Sequence, residues 1–264
     1  MIDTTKYGPW AVIAGGSEGV GAEFARQLAG SGINLVLIAR KPGPLEETAE
    51  RCRALGVEVR TMSVDLLNPQ SIPEITAATA ELEVGLLIYN AGASTCNELF
   101  LDTDLEEFQK VTDLNVTRML ALVQHYARPM AVRRRGGILI VGSLAGYMGA
   151  WRHTIYAGAK AFSRMFAESL WLELRDHNVD VLELVLGVTR TPAMERVGLN
   201  FDAPGIVVNE PADVAAEGLA HLADGPVWVA GGNAGQAEAN SAPDRSRVVL
   251  ESHQTIAALI AGAR

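Results

Sequence analysis

Short, almost wholly apolar runs recur along this chain and alternate with longer amphipathic stretches. They lie at 10–15, 34–39, 57–64, 85–90, 137–143, 180–187 and 227–231. Strands that are covered by helices on both faces are rich in Val, Ile and Leu throughout, whereas half-exposed strands alternate between apolar and polar residues. Strands that alternate with helices indicate parallel β-α-β units. The pattern therefore predicts an α/β chain with a doubly wound, seven-stranded parallel sheet and helices on both of its faces.

Helical patterns occupy most of the intervals between these runs. We expect helices at about 19–30, 43–55, 71–82, 104–132, 153–177, 211–223 and 244–262. No Pro-, Ser- or Gly-rich linker divides the 264 residues, so residues 1–264 are predicted to form one domain. The segment at about 191–210 has apolar residues without periodicity. It follows a strand, and ligands bind at the carboxyl ends of parallel strands, so we expect a binding loop or lid there.

Charge and cysteine content exclude several classes of protein. The 22 basic and 31 acidic residues give a net charge of −9, which disfavours a nucleic-acid binder. Cys52 and Cys96 belong to no CxxC or Cys/His cluster, so neither a disulfide framework nor a metal site is expected. The chain shows no secretory signal pattern and no apolar run near the ~20 residues of a membrane span. We therefore expect a cytoplasmic protein without a membrane span.

The first apolar run leads into AGGSEGVG, which places Gly15, Gly19 and Gly21 in a GxxxGxG spacing. Glycines between the first strand and the first helix permit a tight turn, and the helix N-terminus then offers free N–H groups to a pyrophosphate. This context predicts a Rossmann-like dinucleotide site. The second run ends in Arg40 and Lys41 without an acid, which favours NADP(H) over NAD(H). Glu18, inside the loop, is an anion that opposes this preference.

Four further residues suggest acid/base chemistry. Tyr156 and Lys160 stand four residues apart in a predicted helix and so share one face. A neighbouring ammonium favours the ionised form of a phenol, which makes the pair a candidate general acid/base. Ser143 ends the fifth run, at the sheet edge where the glycine loop is expected. Asn115 lies among apolar neighbours inside the predicted 104–132 helix, where an amide suggests a buried polar role.

Taken in order, these pieces resemble the short-chain dehydrogenases/reductases, in their single-domain branch, over nearly the whole chain. The matching segments are AGGSEGVG for the cofactor loop, VDL around Asp65 for the adenine, YNAG at 89–92, Asn115, Ser143, YAGAK at 156–160 and LGVTRT at 186–191. Three positions depart from the family pattern: Ala14 replaces the usual Thr, Tyr89 an Asn, and Leu186 a Pro. All three concern cofactor placement, so they bear on affinity more than on reaction type.

The resemblance implies an oxidoreductase that transfers a hydride between NADP(H), or less favourably NAD(H), and a carbonyl/alcohol substrate. Tyr156 is then the proton donor in reduction and the base in oxidation, and Lys160 assists it and bonds the nicotinamide ribose. Ser143 holds the substrate oxygen, and Asn115 anchors a water that relays protons to Lys160. The implied cofactor contacts are Gly15, Ser17, Gly19, Val20, Gly21, Arg40, Asp65, Leu66, Asn90, Gly92, Tyr156, Lys160, Thr189 and Thr191.

Apolar side chains are expected to surround the substrate. Besides Ser143, the predicted substrate contacts are Trp151 and Met194, and the wall extends to Met148, Val197, Leu199 and Phe201. Such a wall favours a bulky, apolar carbonyl compound. The family usually associates through the two long helices, here 104–132 and 153–177. The second helix is apolar around much of its circumference, so a homodimer or homotetramer is expected.

Two alternatives remain open at this point. The same fold serves enoyl reduction, although the Tyr and Lys of such enzymes usually stand six or seven residues apart. A regulator that binds dinucleotide without turnover belongs to a different class. Such proteins tend to lose the Tyr or the Lys, whereas this chain carries Asn115, Ser143, Tyr156 and Lys160 together.

Overall fold

Seven parallel strands form the central sheet, as predicted. The computed structural model describes residues 2–196, 198–202 and 207–261, with side chains described to residue 254. The strands of this sheet are β1 (Trp10–Ala14), β2 (Asn34–Ala39), β3 (Val59–Ser63), β4 (Val84–Tyr89), β5 (Gly136–Ser143), β6 (Val179–Leu186) and β9 (Val227–Val229). Two short strands, β7 (Val188–Thr189) and β8 (Val208–Asn209), lie outside it. The strand order in the sheet is β3-β2-β1-β4-β5-β6-β9, and β7 pairs only with β8.

Helices cover both faces of this sheet. They are α1 (Thr4–Tyr7), α2 (Gly19–Gly30), α3 (Pro42–Arg53), α4 (Ser71–Ala78), α5 (Leu105–Thr112), α6 (Arg118–Arg133), α7 (Thr154–Leu174), α8 (Pro192–Arg196), α9 (Pro211–Ala220), α10 (Ala234–Asn240) and α11 (Arg245–Ala261). One core packs α2, α3 and α9 against the sheet, and a second core packs α4, α6 and α7 against its other face. The doubly wound fold is therefore confirmed.

The two cores explain why the strands are apolar throughout. Successive side chains of a strand point to opposite faces of the sheet. Ile13 of β1 accordingly lies in the core with α2, whereas its neighbour Val12 lies in the core with α6. All five residues of β1 are buried. The central strands thus have no solvated face on which polar residues would be favourable.

The structure corrects the prediction of one α-helix over 104–132. A π-helical turn, Asp113–Thr117, separates α5 from α6, so Asn115 does not occupy an ordinary helix interior. The short elements α1, α8, α10, β7 and β8 were not predicted, because each is too short to show a periodicity. Within the expected loop at 191–210, residues 197 and 203–206 lie outside the described residues. Among the described helices, none has the length and apolarity needed to cross a bilayer.

Candidate active site

The glycine loop is held against the end of β4 by close backbone contacts. Gly15 and Gly19 have φ values of +86° and +57°, which favour glycine. A Cβ on Gly15 would lie 2.8 Å from the main-chain nitrogen of Ala91, and one on Gly21 would lie 1.9 Å from the Gly15 carbonyl oxygen. Asn90 donates from Nδ2 to that same oxygen at 2.8 Å. These contacts bring the first turn of α2 close to the loop.

The N-terminus of α2 is open to an anion. Glu18 precedes the helix in an extended conformation, and its carboxylate does not cap the first turn. It accepts hydrogen bonds from Arg196 of α8 instead, with 3.0 Å between Nη1 and Oε2, and these bonds hold the pKa of Glu18 below its ordinary value. The N–H groups of the first turn of α2 are therefore left for a ligand, as a phosphate site requires.

The predicted adenosine contacts follow the carboxyl ends of two neighbouring strands, β2 and β3. Arg40 is exposed directly after β2, and its carbonyl oxygen accepts from the Ser63 hydroxyl at 3.3 Å. Asp65 is exposed after β3, and its carboxylate accepts from the Leu67 N–H at 3.0 Å. The Val20 and Leu66 side chains are buried in the two cores, so these two residues could contact a cofactor only through their backbone. The Ser17 carbonyl oxygen accepts from the Thr48 hydroxyl at 2.9 Å.

Two of the four predicted catalytic residues meet at Gly92, and a third lies beside one of them. A Cβ on Gly92 would lie 2.7 Å from Oδ1 of Asn115 and 3.1 Å from Nζ of Lys160. Lys160 is buried, donates to the Val141 carbonyl oxygen at 2.9 Å, and has Nζ 5.8 Å from the centroid of the Tyr156 ring. Ser143 ends β5 two residues after Val141, so the fourth residue lies beside this cluster.

The π-helical turn sets the position of the Asn115 amide. Its Nδ2 donates to the carbonyl oxygens of Val111 at 2.9 Å and Ala93 at 3.0 Å, which ties α5 to the loop after β4. Its Oδ1 is buried and has no hydrogen-bond partner among the described residues. A buried acceptor without a partner is unfavourable and frequent at functional sites. This oxygen therefore marks a place for a donor next to Lys160.

Comparison with known proteins now assigns the family. A family model described as short chain dehydrogenase matches residues 9–200. The chain belongs to this family. It is 38% identical over 197 residues to a very-long-chain 3-oxoacyl-CoA reductase of Podospora anserina, which covers 73% of this chain but 58% of that reductase. The chain thus spans less than two thirds of that relative.

Two solved structures extend the similarity to the fold of this chain. A 7beta-hydroxysteroid dehydrogenase superposes with a TM-score of 0.86 at 27% identity, over 95% of this chain and 99% of that one. A short-chain dehydrogenase from Sphingobium yanoikuyae in complex with NADPH superposes with a TM-score of 0.76 at 29% identity, over 84% and 86% of the two chains. The Rossmann-like fold is therefore shown by both comparisons.

One departure of this chain from the family pattern has a structural role. Tyr89, which stands in place of an Asn, is buried and donates its hydroxyl to the Leu114 carbonyl oxygen at 2.5 Å. Burial raises its pKa well above the ordinary range, so the phenol stays a donor. The bond joins β4 to the π-helical turn, next to Asn115. Tyr89 therefore supports the site from within the core.

The two threonines predicted to hold the carboxamide end follow β6, and one of them, Thr191, reaches the glycine loop. Thr191 packs against Gly19, because a Cβ on that glycine would lie 3.0 Å from Thr191 Cγ2. Its hydroxyl also accepts from the Met194 N–H at 3.3 Å, at the start of α8. Thr189 is buried and donates to the Gly187 carbonyl oxygen at 3.2 Å. The backbone after β6 thus runs beside the loop that starts α2.

The expected apolar wall is only partly assembled. Trp151 and Met194 are 59% and 38% exposed, so both are accessible and neither is a core residue. Met148 instead lines a groove of about 560 Å³ together with Ala157 and Ala161 of α7, and this lining does not include Tyr156. Phe201 packs under the Arg190 guanidinium at 4.6 Å. Val197 lies outside the described residues.

One buried polar pair near the site was not predicted from the sequence. Glu183 of β6 and Ser163 of α7 are each 1% exposed, and their side chains are hydrogen-bonded at 2.5 Å. An acid inside the apolar run VLELVLG is anomalous for a strand buried on both faces. The acid within this apolar run was the sequence feature from which a buried polar partner could have been predicted.

Proposed function

We propose that this short-chain dehydrogenase is an oxidoreductase that transfers a hydride between a nicotinamide cofactor and a carbonyl/alcohol pair, with Tyr156 as acid and base. The observation that carries the proposal is the convergence of Asn115 and Lys160 on Gly92, beside the Tyr156 ring. Residues 1–264 would then act as a single dinucleotide-binding and catalytic domain. The presence of the whole set favours turnover over mere binding of a dinucleotide.

The residues present fit a nicotinamide dinucleotide. Gly92 leaves space beside Lys160 and Asn115 that any Cβ would fill, and the uncapped first turn of α2 suits a pyrophosphate. Arg40 and Asp65 would hold the adenosine end, and Thr189 and Thr191 the carboxamide end. When bound, the nicotinamide supplies or accepts the hydride.

The protein's own groups would handle the proton and the developing charge. In reduction, the Tyr156 hydroxyl gives its proton to the substrate oxygen, and in oxidation the phenolate takes it back. The Lys160 ammonium stabilises the phenolate electrostatically. It has three N–H donors, one of which is bound to Val141, so two remain for the ribose and a relay. Asn115 Oδ1 would hold the relay water, and Ser143 would hold the substrate oxygen.

The preference for NADP(H) is supported by the charges around the glycine loop. Arg40 is exposed at the end of β2, and the residue that follows it is Lys41, not an acid. Glu18 had opposed the preference, but it is paired with Arg196, which offsets its negative charge. The neighbour from Sphingobium yanoikuyae was solved with NADPH.

Arg40→Ala should therefore raise the KM for NADPH about tenfold or more, because a charge-assisted contact to the 2′-phosphate contributes about 1.5–3 kcal/mol. The KM for NADH should change by less than about twofold, since NADH has no such phosphate. Steady-state kinetics with both cofactors measure this. Arg26→Ala, an exposed arginine of α2 that pairs with Glu23, is the control. Equal changes for both cofactors would contradict the assignment.

The substrate proposed is a bulky, apolar carbonyl compound. Trp151 and Met194 are accessible on segments next to α7 and after β7, and the Trp151 ring is flanked by Arg152 at 4.8 Å. The relatives reported above are named as a very-long-chain 3-oxoacyl-CoA reductase and a 7beta-hydroxysteroid dehydrogenase. Acyl-chain and steroid ketones are therefore the first compounds to test.

The test follows the absorbance of NADPH and NADH, separately, with aliphatic, aromatic, acyl-chain and steroid ketones. Consumption of NADPH with at least one ketone is the expected result. Binding of both cofactors without turnover of any ketone would instead favour a dinucleotide-binding regulator. Reduction of an enoyl compound alone would favour the enoyl reductase alternative.

We also propose self-association through the exposed apolar face of α7. Phe162, Met165 and Leu172 are 40%, 49% and 61% exposed and share one face of the helix. An apolar face of this kind favours burial against a partner.

Met165→Glu combined with Leu172→Glu should shift a homodimer or homotetramer to the monomer, because charges would be buried at the contact. Size-exclusion chromatography with light scattering measures the mass. Leu55→Glu, which changes an equally exposed leucine after α3, should leave the mass unchanged. An unchanged mass in the double variant would exclude this face as the contact.

A further inference from the structure

A buried carboxyl lies between two elements that support the candidate site. Glu183 is in the middle of β6 and is 1% exposed. Its carboxyl fills the space beside Gly142 of β5, because a Cβ on Gly142 would lie 2.6 Å from Glu183 Cδ and Oε1. Gly142 directly precedes Ser143. The carboxyl therefore touches the strand end that presents the serine.

On its other side, the carboxyl reaches the helix turn that carries Lys160. Ser163 Oγ lies 2.5 Å from Glu183 Oε1 and 2.9 Å from the Lys160 carbonyl oxygen. A hydroxyl has one proton and can donate to only one of these acceptors at a time. Which acceptor it serves depends on whether the carboxyl is ionised.

We propose that Glu183 is a positioning residue of the reaction, acting through Ser163 on the helix turn that carries Lys160. The inference rests on the proposed function, since it assigns a role in the same turnover. Neither residue touches the reacting atoms in this scheme. They set where Lys160 stands and how much of its charge Tyr156 experiences.

The protonation state of Glu183 gives this role a pH dependence. A protonated carboxyl donates a hydrogen bond to the Ser163 hydroxyl oxygen. The Ser163 hydroxyl then donates to the Lys160 carbonyl oxygen and anchors the turn. An ionised carboxyl accepts the hydrogen bond of the Ser163 hydroxyl, and its negative charge offsets part of the Lys160 charge that stabilises the Tyr156 phenolate. The first form should therefore be the faster one in ketone reduction.

The charged groups around Glu183 act in both directions. Lys160 and Arg164 of α7 favour its ionised form, and Ser163 does so by hydrogen bonding, whereas Glu168 of the same helix opposes it. Tyr147, from the turn after β5, experiences the charge of Glu183 as well. Burial outweighs these influences and raises the pKa of Glu183 to about 7. A pKa of about 7 puts the change of charge between pH 6 and pH 8, the interval compared below.

Glu183→Gln tests the inference, because the amide keeps the shape and stays neutral. In ketone reduction with saturating NADPH, the wild-type kcat should fall about threefold or more between pH 6 and pH 8, and the Gln variant should lack this fall. The KM for the ketone should stay within about twofold. Glu173→Gln, on the exposed part of α7, should behave as the wild type.

Ser163→Ala separates the relay from the carboxyl itself. It removes the bond to the Lys160 carbonyl oxygen, so its kcat at pH 6 should drop to the wild-type level of pH 8. A merely structural role would lower kcat equally at both pH values. That result, or a Gln variant whose profile falls in parallel with the wild type, would overturn the inference.

Thermal unfolding supplies a readout that does not depend on turnover. The pKa of Glu183 is raised above its unfolded value of 4.5, so the folded state holds the extra proton between pH 4.5 and about 7. Wild-type stability should then fall as pH rises through this window. The Tm of Glu183→Gln minus the Tm of the wild type should therefore increase by about 3 °C or more between pH 5 and pH 7.5. An equal Tm difference at pH 5 and pH 7.5 would contradict the titration of Glu183.

A wild type that reduces no ketone would refute the proposed function, whereas an active wild type with a parallel Gln profile would refute only the role of Glu183.

Discussion

Tyr156→Phe is expected to lower kcat for ketone reduction about 10³-fold, within the range of 10²–10⁴ for the loss of a general acid. The phenyl ring keeps the packing beside His153, whose ring lies 6.1 Å away, but has no proton to give. Cofactor affinity should change by less than about threefold, because Lys160 and the glycine loop remain intact. Steady-state kinetics and NADPH fluorescence titration measure the two quantities.

A second Tyr→Phe variant provides the control. Tyr126 is buried in α6, and its hydroxyl is hydrogen-bonded to Thr79 Oγ1 at 2.9 Å. Tyr126→Phe should cost about 1 kcal/mol of unfolding free energy and leave kcat nearly unchanged. A Tyr156→Phe enzyme that retains more than a tenth of the wild-type kcat would assign the proton transfer to another group.

Gly21→Ala is expected to lower the unfolding free energy by about 2–4 kcal/mol and to weaken NADPH binding at least tenfold. The added Cβ would lie 1.9 Å from the Gly15 carbonyl oxygen and 2.7 Å from Asn90 Nδ2, so α2 must move away from the loop. The hydrogen bond between Asn90 and Gly15 would be lost with it. Chemical denaturation and fluorescence titration give the two values.

Gly30 is a matched control within the same helix. It ends α2, and a Cβ there meets nothing within 4 Å. Gly30→Ala should therefore be neutral or stabilise by up to about 1 kcal/mol, because alanine is the better helix former. If Gly21→Ala behaved like Gly30→Ala, the close approach of α2 to the loop would not be required for cofactor binding.

The elements that the sequence predicted well are those with a long, simple pattern. The runs at 10–15 and 34–39 appear as β1 and β2, because strands buried on both faces tolerate almost nothing but apolar residues. The GxxxGxG spacing located the turn before α2, since only glycine satisfies its backbone angles and its close contacts. Tyr156 and Lys160 shared a helix face, as periodicity requires.

Other features of the site had no local pattern. The π-helical turn at Asp113–Thr117 changes the hydrogen-bond spacing of a helix without changing its composition. From the sequence, Glu18 was interpreted as an unpaired anion near the expected cofactor phosphate. In the structure it pairs with Arg196, which is 178 residues away along the chain. The roles of the individual site residues stay predictions that the variants above test.

The sequence by itself determined the order of strands and helices, the glycine turn and the identity of the candidate catalytic residues. The first two depend on interactions between residues close together in the chain or on burial on both faces of a strand, and the roles of the candidate catalytic residues were implied by the family resemblance. Only the tertiary structure decided that Asn115 and Lys160 meet at Gly92 and that Glu183 reaches the turn of Lys160. Those contacts join separate strands and helices, so they exist only once the sheet and its two helical layers have packed.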